Sequence, residues 1–80
     1  MKKDLNYYMN LPYNFIVQYE QDGEGGYYVS KVMELDGCHS HGKTKQQALN
    51  NLREAMEGYL EVKLEYDDPI PEPTPLAQSV

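Results

Sequence analysis

The stretch that decides the fold is Gly37-Cys38-His39-Ser40-His41-Gly42-Lys43-Thr44, which joins a strand-like first half to a long helical run. Two glycines bracket a short polar segment, and Thr44 is a residue type that caps helices well. Gln47, three residues later, completes a capping-box pattern. From Ala48 to Leu60 the apolar residues recur at spacings of three and four. This spacing predicts one amphipathic helix from Lys45 to about Leu64.

Upstream of this stretch the sequence predicts a β-hairpin. Side chains alternate from Tyr13 to Glu20, and a run of β-branched and aromatic residues follows from Tyr27 to Glu34. The glycine-rich segment Gln21–Gly26 between them suits a hairpin loop. A short third strand fits Cys38–His41. The helix needs an apolar surface, so we expect an α+β fold in which one long helix crosses one face of a small antiparallel sheet.

The 80 residues allow a single domain with two extensions. We expect an N-terminal arm over residues 1–12, the domain over residues 13–66 and a proline-rich tail over residues 67–80. Asp67-Asp68-Pro69 ends the helix, and four of the five prolines lie in the tail. Such a tail is expected to be extended. Whether Ile70–Pro75 adds a fourth strand is left open.

The charge of the chain limits what it can bind. A formal net charge of −6 argues against direct nucleic-acid binding, because that affinity comes largely from Lys and Arg neutralising phosphates. An acidic domain can attract a basic protein partner, or its charge can simply maintain solubility. The single cysteine excludes an internal disulfide framework. No apolar segment follows Met1-Lys2-Lys3, so we expect a cytoplasmic protein without a membrane span.

Cys38, His39 and His41 are the one cluster of residues that suggests chemistry. Thiolate and imidazole are good zinc ligands, but in a strand the two histidines share one face while the cysteine lies on the other. The same geometry places no base in reach of a cysteine nucleophile. Four acids lie near the turns, and they suit turn geometry better than a Mg²⁺ site. They are Asp22, Glu24, Glu34 and Asp36. We therefore expect no catalytic residue, metal or cofactor, and no enzyme activity.

Tyrosine is the unusual feature of the composition, with eight residues against one Phe and no Trp. Tyr has a large apolar ring and a polar tip, which suits surfaces that become interfaces. The hairpin carries four of these residues, too many to lie beneath one helix. We predict a partner or oligomer interface there, while homomeric contact, heteromeric contact and simple exposure all remain open. The four residues are Tyr13, Tyr19, Tyr27 and Tyr28.

Several runs together resemble the HicB antitoxin family over roughly residues 13–75. They include a glycine hairpin with its second strand, a glycine–x–threonine helix start, alanine–leucine and glutamate–alanine pairs on the helix, and a following proline segment. The runs are Gly26–Cys38, Gly42-Lys43-Thr44, Ala48-Leu49, Glu54-Ala55 and Ile70–Pro73.

The sequence departs from this family at a few turn and helix-surface positions, which leaves the fold unaffected but can alter a partner surface. The departures are Met33, Asp36, Lys43 and Gln46-Gln47. The family often continues into a DNA-binding domain. We expect none here, and therefore no direct binding of nucleic acid by this chain.

The resemblance implies a partial RNase-H-like fold, written β-β-β-α(-β), with three to four strands. It also implies the antitoxin of a type II toxin–antitoxin system, which binds and occludes a small HicA-like mRNA-cleaving toxin. The alternative is a stand-alone oligomeric binding module of the same family with no toxin partner. For either role, the small size and the exposed strand edges favour a homodimer or homotetramer.

Overall fold

The computed structural model describes residues 3–73 of the chain. Within them, helices and strands follow in the order α1, β1, β2, β3 and α2. Their bounds are α1 Leu5–Met9, β1 Phe15–Asp22, β2 Gly25–Val32, β3 His39–Gly42 and α2 Lys45–Glu65. The predicted α+β class, with a small antiparallel sheet and one long helix across one face, is confirmed.

The three strands form one antiparallel sheet in the order β1-β2-β3. The two-residue loop Gly23-Glu24 joins β1 to β2, since Asp22 pairs with Gly25. Gly25 has a φ of 137°, a conformation that side chains rarely adopt, which explains the glycine at this end of the loop. The hairpin therefore turns within the glycine-rich segment that the sequence marks.

Helix α2 begins and ends where the sequence predicts. The Thr44 hydroxyl accepts a hydrogen bond from the Gln47 N–H at 3.0 Å. The Gln47 side chain in turn accepts from the Lys43 N–H at 2.6 Å, so two helix-end donors are satisfied together. At the other end Asp67 has a φ of 55°, and the Asp68 N–H donates to the Lys63 carbonyl. This left-handed residue ends the helix in a Schellman arrangement.

The core lies between α2 and the sheet. Leu52 and Leu60 are 0% exposed, and Met56 is 1% exposed. Burying a side chain of this size contributes roughly 1.5–3 kcal/mol. The one buried polar side chain within residues 3–73, Ser30, donates from its hydroxyl to the Ala48 carbonyl at 2.9 Å. The periodic stripe read from the sequence is therefore the buried face of the helix.

Helix α1 is an element that the sequence does not reveal. Its five residues are too few for a periodic signal, and the Asp4 carboxylate caps it by accepting from the Tyr7 N–H at 3.0 Å. Tyr8 is buried, and it packs α1 against the common core. The residues expected to be an arm thus include a packed helix, while the domain boundaries remain a prediction.

The tail runs back along α1. Glu72 accepts hydrogen bonds from Lys3 at 3.1 Å and from the Tyr7 hydroxyl at 3.0 Å. The bond from Lys3 lowers the pKa of Glu72 below its ordinary value. The sequence left open whether Ile70–Pro75 adds a fourth strand. Residues 70–73 form no strand, and Thr74 and Pro75 lie outside the described residues.

Gly42 permits the close contact between β3 and α2. A Cβ atom built at this residue would lie 2.5 Å from the backbone nitrogen of Ala48 and 2.8 Å from the carbonyl carbon of Gln47. Backbone atoms cannot rotate away as a side chain can. The first turn of α2 therefore reaches the sheet because residue 42 has no side chain.

Replacing this glycine should separate helix and sheet. We expect Gly42→Ala to lower the free energy of unfolding by about 1–3 kcal/mol, the usual cost of overpacking. Gly58→Ala is the matched control, because Gly58 is exposed in the same helix with nothing within 4 Å of a built Cβ. That change should raise the free energy of unfolding by about 0.8 kcal/mol through helix propensity. Urea denaturation of both variants tests this, and equal effects would contradict the close contact at Gly42.

Candidate functional site

Among residues 3–73, no helix lies over one of the two faces of the sheet. Helix α2 packs on the face that carries Ser30 and Val32, mainly over β2 and β3. We call the opposite side the open face. It encloses a concave region of about 750 Å³. The strand registers place these residues on it: Ile16, Gln18, Glu20, Tyr27, Val29, Lys31, His39 and His41.

The centre of the open face is apolar. Ile16 and Val29 are half-buried there, and the Tyr27 ring meets the His41 ring edge-on with 6.4 Å between their centroids. In the sequence, Ile16 is the residue that interrupts the polar side of an otherwise alternating strand. That interruption is the local signal that this face is not an ordinary solvated one. A concave surface with an apolar centre can bury area against another protein.

The hairpin end of the open face is acidic. Glu20 pairs in register with Tyr27, and Asp22 lies next along the same side of β1. The Asp22 carboxylate accepts a hydrogen bond from the Glu24 N–H at 3.0 Å, which fixes the turn. All three acids are exposed. An aromatic ring beside carboxylates suits a Lys or Arg side chain of a partner. Sequence reasoning placed Asp22 and Glu24 at a turn and Glu20 at the end of a strand, and it did not find this arrangement.

The cysteine–histidine cluster is divided as the strand geometry predicts. Cys38 is 3% exposed, and burial raises the pKa of its thiol. Its reactive thiolate form is therefore disfavoured. His39 and His41 are exposed on the open face. Within residues 3–73, no group of three or more His, Cys, Asp or Glu residues could hold a metal ion.

The four predicted interface tyrosines do not share one surface. Tyr13 is 7% exposed, and its hydroxyl donates to the Pro71 carbonyl at 2.6 Å. Tyr27 lies on the open face. Tyr19 and Tyr28 lie on the helix side, in edge contact with 5.2 Å between ring centroids. Their role in an interface remains a prediction, and two separate surfaces are available for it.

Comparison with known proteins identifies the family. A family model described as "HicB_like antitoxin of bacterial toxin-antitoxin system" matches residues 13–80. The match covers most of the chain, including the sheet and α2. The chain therefore belongs to the HicB-like antitoxin family, as its sequence motifs predict.

Several curated proteins are similar to this chain. The chain is 39% identical over 61 residues to a UPF0150 protein of Thermoplasma acidophilum, covering 76% of this chain and 84% of that protein. It is 44% identical over 54 residues to a UPF0150 protein of Archaeoglobus fulgidus, covering 68% and 77% respectively. A UPF0150 protein of Synechocystis is 41% identical over 59 residues, covering 74% and 73%. No solved structure matches the chain. Neither helix of residues 3–73 has the length and hydropathy to cross a membrane.

The buried Tyr13 hydroxyl gives a testable pH dependence. Burial raises the pKa of Tyr13 from its ordinary value of 10.0 to about 12. The neutral phenol is favoured in the folded state, so its stabilisation is full below pH 10 and is lost as the pH rises towards 12. We expect the free energy of unfolding to fall less steeply across this range in Tyr13→Phe than in the wild type. Tyr66→Phe, at a residue 68% exposed, is the control and should behave like the wild type.

Proposed function

We propose that this chain is the antitoxin of a type II toxin–antitoxin system and that it neutralises a small HicA-like mRNA-cleaving toxin by binding and covering it. The observation that carries the proposal is the family match over residues 13–80. The chain acts by occlusion, in the cytoplasm, and performs no chemistry itself. It functions as a homo-oligomer and does not bind nucleic acid directly.

The charge of the chain supports this role. A protein that holds mRNA needs Lys and Arg on its RNA-binding surface, because phosphate contacts supply most of that affinity. A formal net charge of −6 makes this chain complementary to such a surface. Complementary charge also raises the rate of association, which favours rapid capture of a toxin.

We place the toxin on the open face, at its acidic hairpin end. Glu20 and Asp22 offer carboxylates, and Tyr27 offers a ring beside them. The neighbouring half-buried pair Ile16 and Val29 supplies apolar area. Charged groups around an apolar centre are the usual arrangement of a protein–protein interface. Because the open face is concave and combines an apolar centre with acidic residues, it is favoured over the outer surface of α2 as the toxin-binding surface.

The outer surface of α2 is also acidic but lacks an apolar centre. Glu54, Glu57 and Glu61 are exposed along it, on the side of the molecule away from the open face. A helix surface of this kind is ordinarily solvated. The acids on this surface of α2 can therefore be reversed in charge as a matched control for Glu20 and Asp22 of the open face.

Charge reversal distinguishes the two surfaces. We expect Glu20→Lys with Asp22→Lys to weaken toxin binding at least about tenfold, because two attractive charges become repulsive. Glu57→Lys with Glu61→Lys makes the same change in net charge and should leave binding within about threefold. Calorimetric titration against the small basic toxin that we expect to be encoded beside this gene measures both. Loss of binding in the helix variant alone would move the interface to α2.

Growth rescue tests the role itself. Co-expression of the wild-type chain with that neighbouring protein should restore growth, and the two proteins should co-purify. The open-face variant should fail to rescue, while the helix variant should succeed. If the wild-type chain forms no complex and gives no rescue, the antitoxin proposal is wrong and the stand-alone module is favoured.

A further inference from the structure

The charges of the open face are separated along its length. Glu20 and Asp22 lie at the hairpin end, beside Tyr27. Lys31 lies on the same face, four residues beyond Tyr27 on β2, and it lines the concave region together with its register partner His39 of β3. At about 3.4 Å per residue, roughly 14 Å of strand separates Tyr27 from Lys31. The open face therefore has an acidic end and, at Lys31 and His39, a basic end.

The two ends act on a partner as separate sites. The Debye length is about 8 Å at physiological ionic strength, so exposed charges roughly 14 Å apart are largely screened from each other. Glu20, Asp22 and Lys31 are all exposed. A partner at the basic end therefore meets the positive charge of Lys31, although the whole chain carries a net charge of −6.

Lys31 is the one Lys or Arg of the three strands. Lys is somewhat depleted in strands, and natural sheets use it to keep edge strands from pairing. That use does not apply to Lys31, because β2 is the middle strand. Within residues 3–73 the one salt bridge joins Lys3 to Glu72, so Lys31 has no carboxylate partner among them. Neither strand formation nor an ion pair within the described chain accounts for a lysine at this position.

The surroundings of Lys31 suit a carboxylate. Half-buried Ile16 lies opposite Lys31 on β1, and the exposed His39 lies opposite it on β3. Residues directly opposite in an antiparallel pair have Cβ atoms about 4.5–5.5 Å apart, so the Lys31 ammonium and the His39 imidazole can reach one acceptor together. Both groups donate hydrogen bonds, and such bonds are stronger to a carboxylate than to a neutral acceptor.

The described part of the tail lies on the other side of the sheet. Its contacts are those of Pro71 with Tyr13 and of Glu72 with Tyr7. Both tyrosines pack with the core beneath α2. As far as residue 73, the tail therefore leaves the basic end of the open face uncovered.

We propose that Lys31, together with His39, binds an Asp or Glu side chain of the toxin and so fixes the orientation in which the toxin docks. The inference rests on the proposed function and adds a second anchor to that interface. The basic surface of the toxin lies at the acidic end of the open face, and its carboxylate lies roughly 14 Å away at the basic end.

This arrangement selects among basic proteins. A uniformly acidic face would attract any basic surface in many orientations, because long-range attraction depends mainly on charge. Lys31 repels a partner whose positive charge extends over the basic end. Repulsion of wrong partners is one of the two ways in which an interface gains specificity. Lys31 is therefore a specificity-determining residue of the toxin-binding surface.

Reversing the charge of Lys31 separates this arrangement from attraction by net charge. Lys31→Glu makes the chain more acidic, so net charge alone predicts tighter binding of a basic toxin. We expect the reverse, at least about tenfold weaker binding, because two carboxylates then face each other. Arg53→Glu makes the same change in charge at an exposed residue of α2 and should leave binding within about threefold. Calorimetric titration against the toxin expected to be encoded beside this gene measures both, and circular dichroism checks that both variants fold.

Two outcomes distinguish the failure of this inference from that of the proposed function. Unchanged or tighter binding by Lys31→Glu, with binding still lost in the Glu20→Lys, Asp22→Lys variant, would overturn the role of Lys31 and leave the proposed function standing. Absence of any complex with the wild-type chain would overturn the proposed function and this inference with it.

A compensating change in the toxin identifies the carboxylate. Each Asp or Glu of the toxin is changed singly to Lys and titrated against Lys31→Glu and against the wild-type chain. One toxin variant should bind Lys31→Glu at least about tenfold more tightly than the unchanged toxin does, and should bind the wild-type chain more weakly. If no toxin variant does so, or if each gains equally for both chains, the attraction is general and the proposed contact is wrong.

Carbodiimide coupling tests proximity. The reagent joins an amine to a carboxylate in contact with it through an amide bond and takes up the water that is lost. Lys31 should be joined to an Asp or Glu of the toxin, which mass spectrometry of the digested complex locates. Lys31→Arg keeps the charge and should keep binding within about threefold, but it should lose this cross-link. Coupling of Glu20 or Asp22 to toxin lysines without coupling of Lys31 would overturn the proposal.

Discussion

The rest of the structure depends on the close packing of α2 against β2 and β3. This packing buries Leu52, Met56 and Leu60 and brings the first turn of the helix against Gly42. A chain of 80 residues has little other apolar area with which to offset the entropy of folding. The helix can approach so closely because residue 42 has no side chain and because Ser30 satisfies its hydroxyl on the Ala48 carbonyl.

That packing also determines which surfaces are free. Within residues 3–73, a single long helix covers one face of the sheet, and it lies towards β3, so these residues leave the open face uncovered. The open face combines an apolar centre with the acidic pair Glu20 and Asp22. On the helix side of β1, the rings of Phe15 and Tyr19 are exposed. The acidic end of the open face is thus the surface on which we propose that a basic partner binds.

Local signals explain why so much of the fold was predictable. The stripe along α2, the capping residue Thr44 and the glycine-rich hairpin each act over a few residues, and each is visible in the order of the side chains. Helix α1 was missed because five residues are too few for a periodic pattern, and beyond its Asp4 cap it is held by Tyr8 packing on a distant core and by the contacts of Glu72. For the candidate site, the sequence suggests Tyr27 as an interface residue, which stays a prediction, but it does not reveal that Glu20 and Asp22 on the adjacent strand lie beside it.

The sequence by itself determined the fold class, the family and the separation of Cys38 from His39 and His41, because these follow from periodicity and short motifs. Only the tertiary structure decided which tyrosines reach solvent, since Tyr13 is buried while Tyr19 and Tyr27 lie on opposite sides of the sheet. The physical reason is that strand register and the position of α2 over β2 and β3 depend on contacts between distant residues. The stretch from Gly37 to Thr44 brings those residues together, and through Gly42 it sets how closely they meet.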